Sequence, residues 1–86
     1  MNVEQANAIV GANLRALRAK KDYSRERLSE LSGVPVMTIR RLEKGERAAQ
    51  VPALIMLCDA LGVNIRDFMD EVETELKQIA DRQPSQ

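Results

Sequence analysis

The segment SRERLSELSGVPVMTIRRLEKG, residues 24–45, constrains the fold more than any other part of the chain. Its pattern predicts two short helices joined by a tight turn. Gly33 supplies a residue that readily takes positive φ, and Val34 is placed to fill the corner between the helices. Pro35 favours the start of a new helix, because its missing N–H is not needed there.

Apolar residues at helical spacing predict which sides of these two helices are buried. Leu28 and Leu31 lie about one turn apart on the first helix, and Ile39 and Leu42 do so on the second; such spacing places each pair on one face. Gly45 then marks the end of the second helix. Two helices joined by a short glycine-containing turn form a helix-turn-helix, whose second helix enters the major groove of DNA.

A mainly cationic set of side chains is left on the outer faces of the second helix. The residues assigned to DNA binding there are Val36, Met37, Thr38, Arg40, Arg41 and Lys44. The cations suit a groove edged by phosphates, and the apolar side chains suit thymine methyl groups. The alternative is a solvated charged face without a ligand, which is the usual role of such runs.

The chain resembles the lambda-repressor/Cro-like helix-turn-helix family of phage and bacterial transcriptional regulators. The match is carried by YSRERLSELSGVP followed by VMTIRRLEKG, with VGANLRALRAKKD before it and LIMLCDALGVNIRDF after it. It covers residues 10–68, which is most of the chain. The resemblance implies an all-α, five-helix DNA-binding domain, here with an extended C-terminal helix.

The resemblance also implies roles for four charged residues. Arg25 stands where the family often has a Gln that contacts a DNA phosphate; an arginine can reach a phosphate but cannot accept hydrogen bonds. Arg47 matches a loop position that contacts the DNA backbone. Arg18 and Glu43 match positions that form a structural salt bridge between the first helix and the DNA-reading helix.

Charge is distributed unevenly, although 13 Lys and Arg balance 13 Asp and Glu. Residues 15–47 carry a net charge of +5, residues 48–86 carry −4 and residues 1–14 carry −1. A net charge of zero by itself argues against a nucleic-acid partner. The local field of one face, however, is what attracts DNA, and the basic central segment supplies such a field.

The composition leaves little material for catalysis or for a metal site. The chain has no histidine and one cysteine, Cys58, so the usual general bases, nucleophiles and zinc ligands are nearly absent;. Cys58 lies in an apolar run and is expected to pack in the core of a cytoplasmic protein. No apolar stretch is long enough for a membrane span. We therefore expect no enzymatic activity, cofactor or small-molecule ligand.

The spacing of apolar residues places the first and fourth helices. The first is expected to begin at Asn2 or Asn7, either of which could cap it, and to end near Lys21 with one stripe facing the core. That stripe comprises Val3, Ala6, Val10, Leu14 and Leu17. The fourth helix, residues 53–61, is apolar nearly all round (Ile55 included) and is expected to be central and buried.

The last helix is expected to begin after Asn64, which with Asp67 resembles a capping box. Its apolar residues continue past the end of the family's usual domain, where Val72, Leu76 and Ile79 extend the stripe. A stripe with nothing left in the chain to cover it predicts a homodimer. If this dimer is weak in free solution, it is expected to form fully only on DNA. The alternative is a tail helix folded back on its own domain.

The sequence therefore divides into a helical extension at residues 1–9, the DNA-binding domain at 10–69, a helix extension for dimerisation at 70–81 and a disordered tail at 82–86. The expected function is sequence-specific binding of a double-stranded DNA operator by a repressor of a phage or mobile element, either Cro-like or a minimal immunity repressor. The alternative is an antitoxin that binds a basic toxin through its acidic last helix, residues 67–79, and represses its own operon.

Overall fold

The computed structural model describes residues 2–82, and this part of the chain forms five α-helices and no strand. The helices are α1 (Val3–Lys20), α2 (Arg25–Ser32), α3 (Val36–Glu43), α4 (Val51–Ala60) and α5 (Ile65–Arg82). Helix α3 packs against α1 and α2, α2 also packs against α4, and α5 packs against α1 and α4. The predicted all-α, five-helix fold is confirmed. Of the predicted tail at 82–86, only Arg82 lies within the described residues, where it ends α5.

Helices α1 and α2 both begin at residues whose side chains cap them. The Asn2 side chain accepts a hydrogen bond from the Gln5 amide at 2.8 Å, and the Gln5 side chain accepts one from the Asn2 amide at 2.9 Å. This reciprocal capping box places the start of α1 at Asn2 and not at Asn7;. Ser24 Oγ accepts from the Arg27 amide at 2.9 Å and caps α2;.

Side chains from all five helices meet in one apolar core. The largest fully buried ones are Leu14, Leu28, Ile39, Leu57, Leu61, Val72 and Cys58. The single cysteine is therefore a packing residue, as predicted. Its burial raises the pKa of the Cys58 thiol, because the thiolate would lose its hydration;.

Two helices bury less of their apolar surface than the sequence predicted. In α1, Ile9 joins the predicted Leu14 in the core, whereas Val3, in the first turn, is 71% exposed. In α4 the prediction of burial all round is wrong, because Ile55 and Met56 are both about half exposed. Helices α2 and α5 pack against α4, and the side that carries Ile55 and Met56 stays open to solvent.

The C-terminal half of α5 packs on its own domain. Val72 is only 2% exposed and belongs to the core, and Leu76 and Ile79 are partly buried against that core. Asn13 Nδ2 also donates to Glu75 Oε1 at 3.2 Å, which joins α1 to α5. The prediction of an uncovered dimerisation stripe is therefore wrong for Val72, because α1 covers this side of α5. The alternative, a helix folded back on its own domain, is the arrangement observed.

The domain boundaries predicted after residues 9 and 69 both lie inside continuous helices, α1 and α5. Helix α5 starts after Asn64, whose side-chain oxygen accepts from the Arg66 amide at 2.8 Å, and not from that of Asp67 as in the predicted capping box. Among residues 2–82, no helix combines the length and the apolar character needed to cross a membrane.

Candidate nucleic-acid interface

The turn between α2 and α3 is fixed by four consecutive residues. Gly33 has φ of 79°, a left-handed conformation that favours glycine, and its amide donates to the Ser29 carbonyl at 2.8 Å;. Val34 fills the corner with 4% exposure, and its amide donates to Ser32 Oγ at 3.1 Å. Pro35 then precedes α3 with φ of −58°. The structure thus has the helix-turn-helix geometry that the sequence predicted.

One expectation for this motif is wrong. Leu31 is 42% exposed, whereas Leu28 and Ser32, one full turn apart, face inward. Ser32 is tolerated there because its hydroxyl accepts a hydrogen bond from the turn, so its buried oxygen has a partner;. Ser32 therefore occupies the inward position, where its hydroxyl oxygen serves as the acceptor for the Val34 amide in the turn.

Helix α3 presents opposite sides to the core and to solvent. Ile39, Leu42 and Glu43 are buried, and Val36 and Thr38 are half-buried near the helix start. The outer stripe, as we call it, consists of the exposed residues Met37, Arg40, Arg41 and Lys44. These follow at steps of three, one and three residues, so they share one face of the helix.

Glu43 is held at the centre of a buried ion cluster. Its Oε2 lies 2.6 Å from Arg18 Nε, and its Oε1 lies 3.0 Å from both Arg18 Nη2 and Arg25 Nε. Arg18 Nη1 also donates to the Tyr23 carbonyl at 2.9 Å. The hydrogen bond to Glu43 raises the pKa of Arg18, against the opposing effect of burial;. The ion pair that the resemblance implied is present, and it links α1 to the end of α3.

Arg25 joins this cluster, which the sequence did not reveal. One carboxylate faces two guanidinium groups, so the cluster keeps one excess positive charge. The Arg25 side chain is 36% exposed, against 1% for Glu43, so the excess lies on the solvent side. The only sequence signal was the cation at a position where the family often has Gln. Arg25 is thereby held beside α3 and can still present charge to a phosphate.

Helix α1 and the end of α3 touch through their backbones. A Cβ atom built at Gly11 would collide with the Leu42 carbonyl oxygen and would lie 2.9 Å from that of Glu43. Gly45, with φ of 72°, approaches the backbone of Ala8 on the same helix. Sequence reasoning missed this contact, although a glycine within a helical pattern is a signal of close approach.

The cations of the outer stripe are available to a ligand. Arg47 is exposed in the loop after α3, and among residues 2–82 none of the ion pairs involves Arg40, Arg41, Lys44 or Arg47. The same part of the chain contains no group of His, Cys, Asp and Glu side chains able to hold a metal ion. The arrangement is a rigid helix with unpaired positive charge on its outer face.

The family model described as Helix-turn-helix, HTH_3, matches residues 14–68, from the middle of α1 to the start of α5. The chain belongs to this helix-turn-helix family. It therefore carries a DNA-binding domain of the kind found in transcriptional regulators, with the lambda-repressor-like fold.

Two solved structures are similar in both fold and sequence. The clp gene regulator ClgR from Corynebacterium glutamicum is 30% identical with a TM-score of 0.74, and the match covers 81% of this chain and 91% of that one. The restriction-modification controller protein C.AhdI from Aeromonas hydrophila is 31% identical with a TM-score of 0.69, covering 72% of this chain and 94% of that one.

Two curated relatives are less similar. They are uncharacterized HTH-type transcriptional regulators from Rickettsia conorii and Rickettsia prowazekii, each 27% identical over 71 residues. The match covers 83% of this chain but only 57% and 55% of the two relatives. The chain thus spans little more than half the length of these proteins.

Proposed function

We propose that the chain is a transcriptional repressor that occupies a double-stranded DNA operator in the cytoplasm and thereby excludes RNA polymerase or a competing regulator. The observation that carries the proposal is the outer stripe: exposed cations that form no ion pair among residues 2–82 stand opposite a side of α3 that the core holds in place. A short helix exposed in this way can enter the major groove as a rigid body.

Base reading is assigned to the middle of α3. Arg40 or Arg41 donates two hydrogen bonds to a guanine, and Val36 or Met37 contacts a thymine methyl group. Thr38, which is half-buried near the helix start, can bond to either a base edge or a phosphate;.

Phosphate contacts are assigned to residues around α3. Lys44 lies at its end, Arg47 in the following loop and Arg25 at the start of α2, where the ion cluster keeps an excess positive charge. These contacts orient the helix and add affinity for every sequence alike. Local charge therefore supports binding despite the net charge of zero;.

The proposal is tested by selecting bound DNA from a random pool with the parent chain, then repeating the selection with variants. Arg40→Ala and Arg41→Ala should relax the preference at particular base pairs, each by about 1–3 kcal/mol. Arg27→Ala is a matched control, because Arg27 is an exposed arginine that pairs with Glu30 on α2. A selected site that neither α3 variant alters would contradict the assignment, and no enriched site for the parent would contradict the function.

The antitoxin alternative is favoured by the exposed acidic residues of α5, which include Asp70, Glu71 and Glu73. An origin in a phage or mobile element, Cro-like or as a minimal immunity repressor, stays a prediction. ClgR and C.AhdI are named for different regulatory targets, so the shared fold does not specify the genes controlled;. A stable complex with a small basic protein encoded beside this chain would favour the antitoxin, whereas failure of such a protein to bind the chain would favour the repressor.

A further inference from the structure

The basic surface of the molecule continues from α3 onto the first helix. Arg15, in the second half of α1, is exposed and forms no ion pair within the described residues 2–82. The contacts proposed for α2, α3 and the following loop leave α1 without a part in DNA binding. An exposed arginine whose charge is not balanced by a carboxylate remains free to bind an anion.

The backbone of α1 lies directly against the C-terminal end of α3. A Cβ atom built at Gly11 would strike the Leu42 carbonyl, and one built at Gly45 would lie 3.0 Å from Ala8 Cα. Since the two helices touch without intervening side chains, a molecule that lies along the end of α3 also reaches the neighbouring surface of α1.

A shallow recess of about 340 Å³ lies beside this contact, between α1 and the end of α3. Arg15 stands at the same recess as Glu43, the centre of the buried ion cluster. The other lining residues are Ala12, Ala16 and Ala19. These three side chains are small, so they leave the recess open to a ligand.

Positive charge exceeds negative charge around the recess. Arg18 and Arg25 both bond to Glu43, and Arg15 adds a third guanidinium group. Glu26, at the start of α2, is the other carboxylate whose charge helps to raise the pKa of Arg18. Three arginines thus stand against two carboxylates, which leaves one excess positive charge for an anion to balance.

We propose that this recess receives a phosphate of the DNA strand that borders the major groove, and that Arg15 is the residue that binds it. The inference rests on the proposed function and extends the DNA-binding surface to α1. Because α1 is held against α3 by direct backbone contact, Arg15 keeps a fixed position relative to the base-reading helix. The contact therefore helps to set where α3 lies along the groove, without itself reading a base.

The test uses the intact chain and half-site duplexes in which one phosphate at a time is replaced by an uncharged methylphosphonate. One such replacement should weaken binding of the parent several-fold and leave Arg15→Ala unaffected, because the variant no longer touches that phosphate. Between about 50 and 200 mM salt, the parent should lose about 3.5-fold more affinity than Arg15→Ala, as expected for one phosphate contact. The preferred sequence and the urea midpoint of unfolding should be the same for both proteins.

Two further variants complete the experiment. Lys21→Ala is the matched control, since it removes an exposed cation of α1 that lies beside Gly62, outside the recess, and should leave the salt dependence unchanged. Ala16→Lys adds a cation at an exposed position of the recess. It should tighten binding to every duplex and increase the loss of affinity over the same salt range by about 3.5-fold.

The outcomes separate this inference from the proposed function. A parent that binds no duplex refutes both. A parent that binds its selected site, together with an Arg15→Ala variant that has the same salt dependence and the same response to every methylphosphonate, refutes the α1 contact alone. Inorganic phosphate, added at constant ionic strength, tests the other source of the same chemistry. If millimolar phosphate abolishes the difference between the two proteins, the recess binds the free ion and not the DNA strand.

Discussion

Arg18 and Glu43 are 25 residues apart in the chain and are joined by two hydrogen bonds, of 2.6 and 3.0 Å. The pair connects α1 to the last residue of α3, next to Leu42, which is fully in the core. Because Glu43 is almost completely buried, its charge is tolerated only while guanidinium groups compensate it;. The orientation of α3 about its own axis is therefore fixed by electrostatics as well as by packing.

Glu43→Gln should lower the free energy of unfolding by roughly 3–5 kcal/mol, because it leaves two guanidinium groups beside a buried neutral side chain. Urea unfolding followed by circular dichroism measures the change. Glu46→Gln, at an exposed position just after α3, is the matched control and should be nearly neutral;. A double-mutant cycle with Arg18→Met should show coupling between the two residues; additive effects would disprove the structural role of the pair.

Arg47→Ala and Arg25→Ala should weaken binding to all DNA sequences alike. Each removes a predicted phosphate contact, so the slope of log affinity against log salt should become shallower by about one unit. Only Arg25→Ala should also lower stability, because Arg25 Nε bonds to Glu43 at 3.0 Å. Titrations at several salt concentrations on selected and unrelated duplexes provide the measurement. A change confined to the selected duplex would show base reading instead.

Gly11→Ala should destabilise the protein, although the same change inside a free helix stabilises it by about 1 kcal/mol. The new methyl group would strike the Leu42 carbonyl, and a backbone atom cannot move aside unless α3 moves. Overpacking of this kind typically costs about 1–3 kcal/mol. Ala12→Ser, at the next and exposed position, is the control. Thermal unfolding decides the matter, since a raised melting temperature for Gly11→Ala would mean that the helices are not in close contact.

The buried thiol should make stability fall at alkaline pH. Burial raises the pKa of Cys58, so the folded chain keeps its proton to a higher pH than the unfolded chain does. Unfolding therefore releases a proton above the ordinary thiol pKa of about 8.5, and the free energy of unfolding decreases as pH rises there. Cys58→Ala should remove this part of the slope. Urea unfolding of both proteins between about pH 7 and 10 tests it, and parallel pH profiles would contradict the prediction.

The sequence was most informative where local chemistry dictates structure. Gly33, Val34 and Pro35 determine the turn between α2 and α3 because each meets a specific backbone or packing requirement, and each lies as predicted. Arg18 and Glu43 could be paired in advance only through a family resemblance, since 25 residues separate them. Local patterns carry no such distance information.

The misplaced residues were those whose burial depends on which other helix lies nearby. Val72 looked uncovered because no later segment of the sequence could reach it, but α1, at the other end of the chain, packs there. Ile55 looked buried because α4 is apolar on every side, yet it is 49% exposed. Periodicity identifies an apolar face but does not identify its partner.

The separation of α3 into an inner and an outer side also bears on how such a protein can diverge. Ile39 and Leu42 are essential to the core, whereas Met37, Arg40 and Arg41 are exposed and can be exchanged with little effect on folding;. Under the proposed function, a descendant can thus acquire a new operator preference by single substitutions, each of which leaves a stable protein. Selection for DNA recognition and selection for stable folding can then act at separate positions of one short helix.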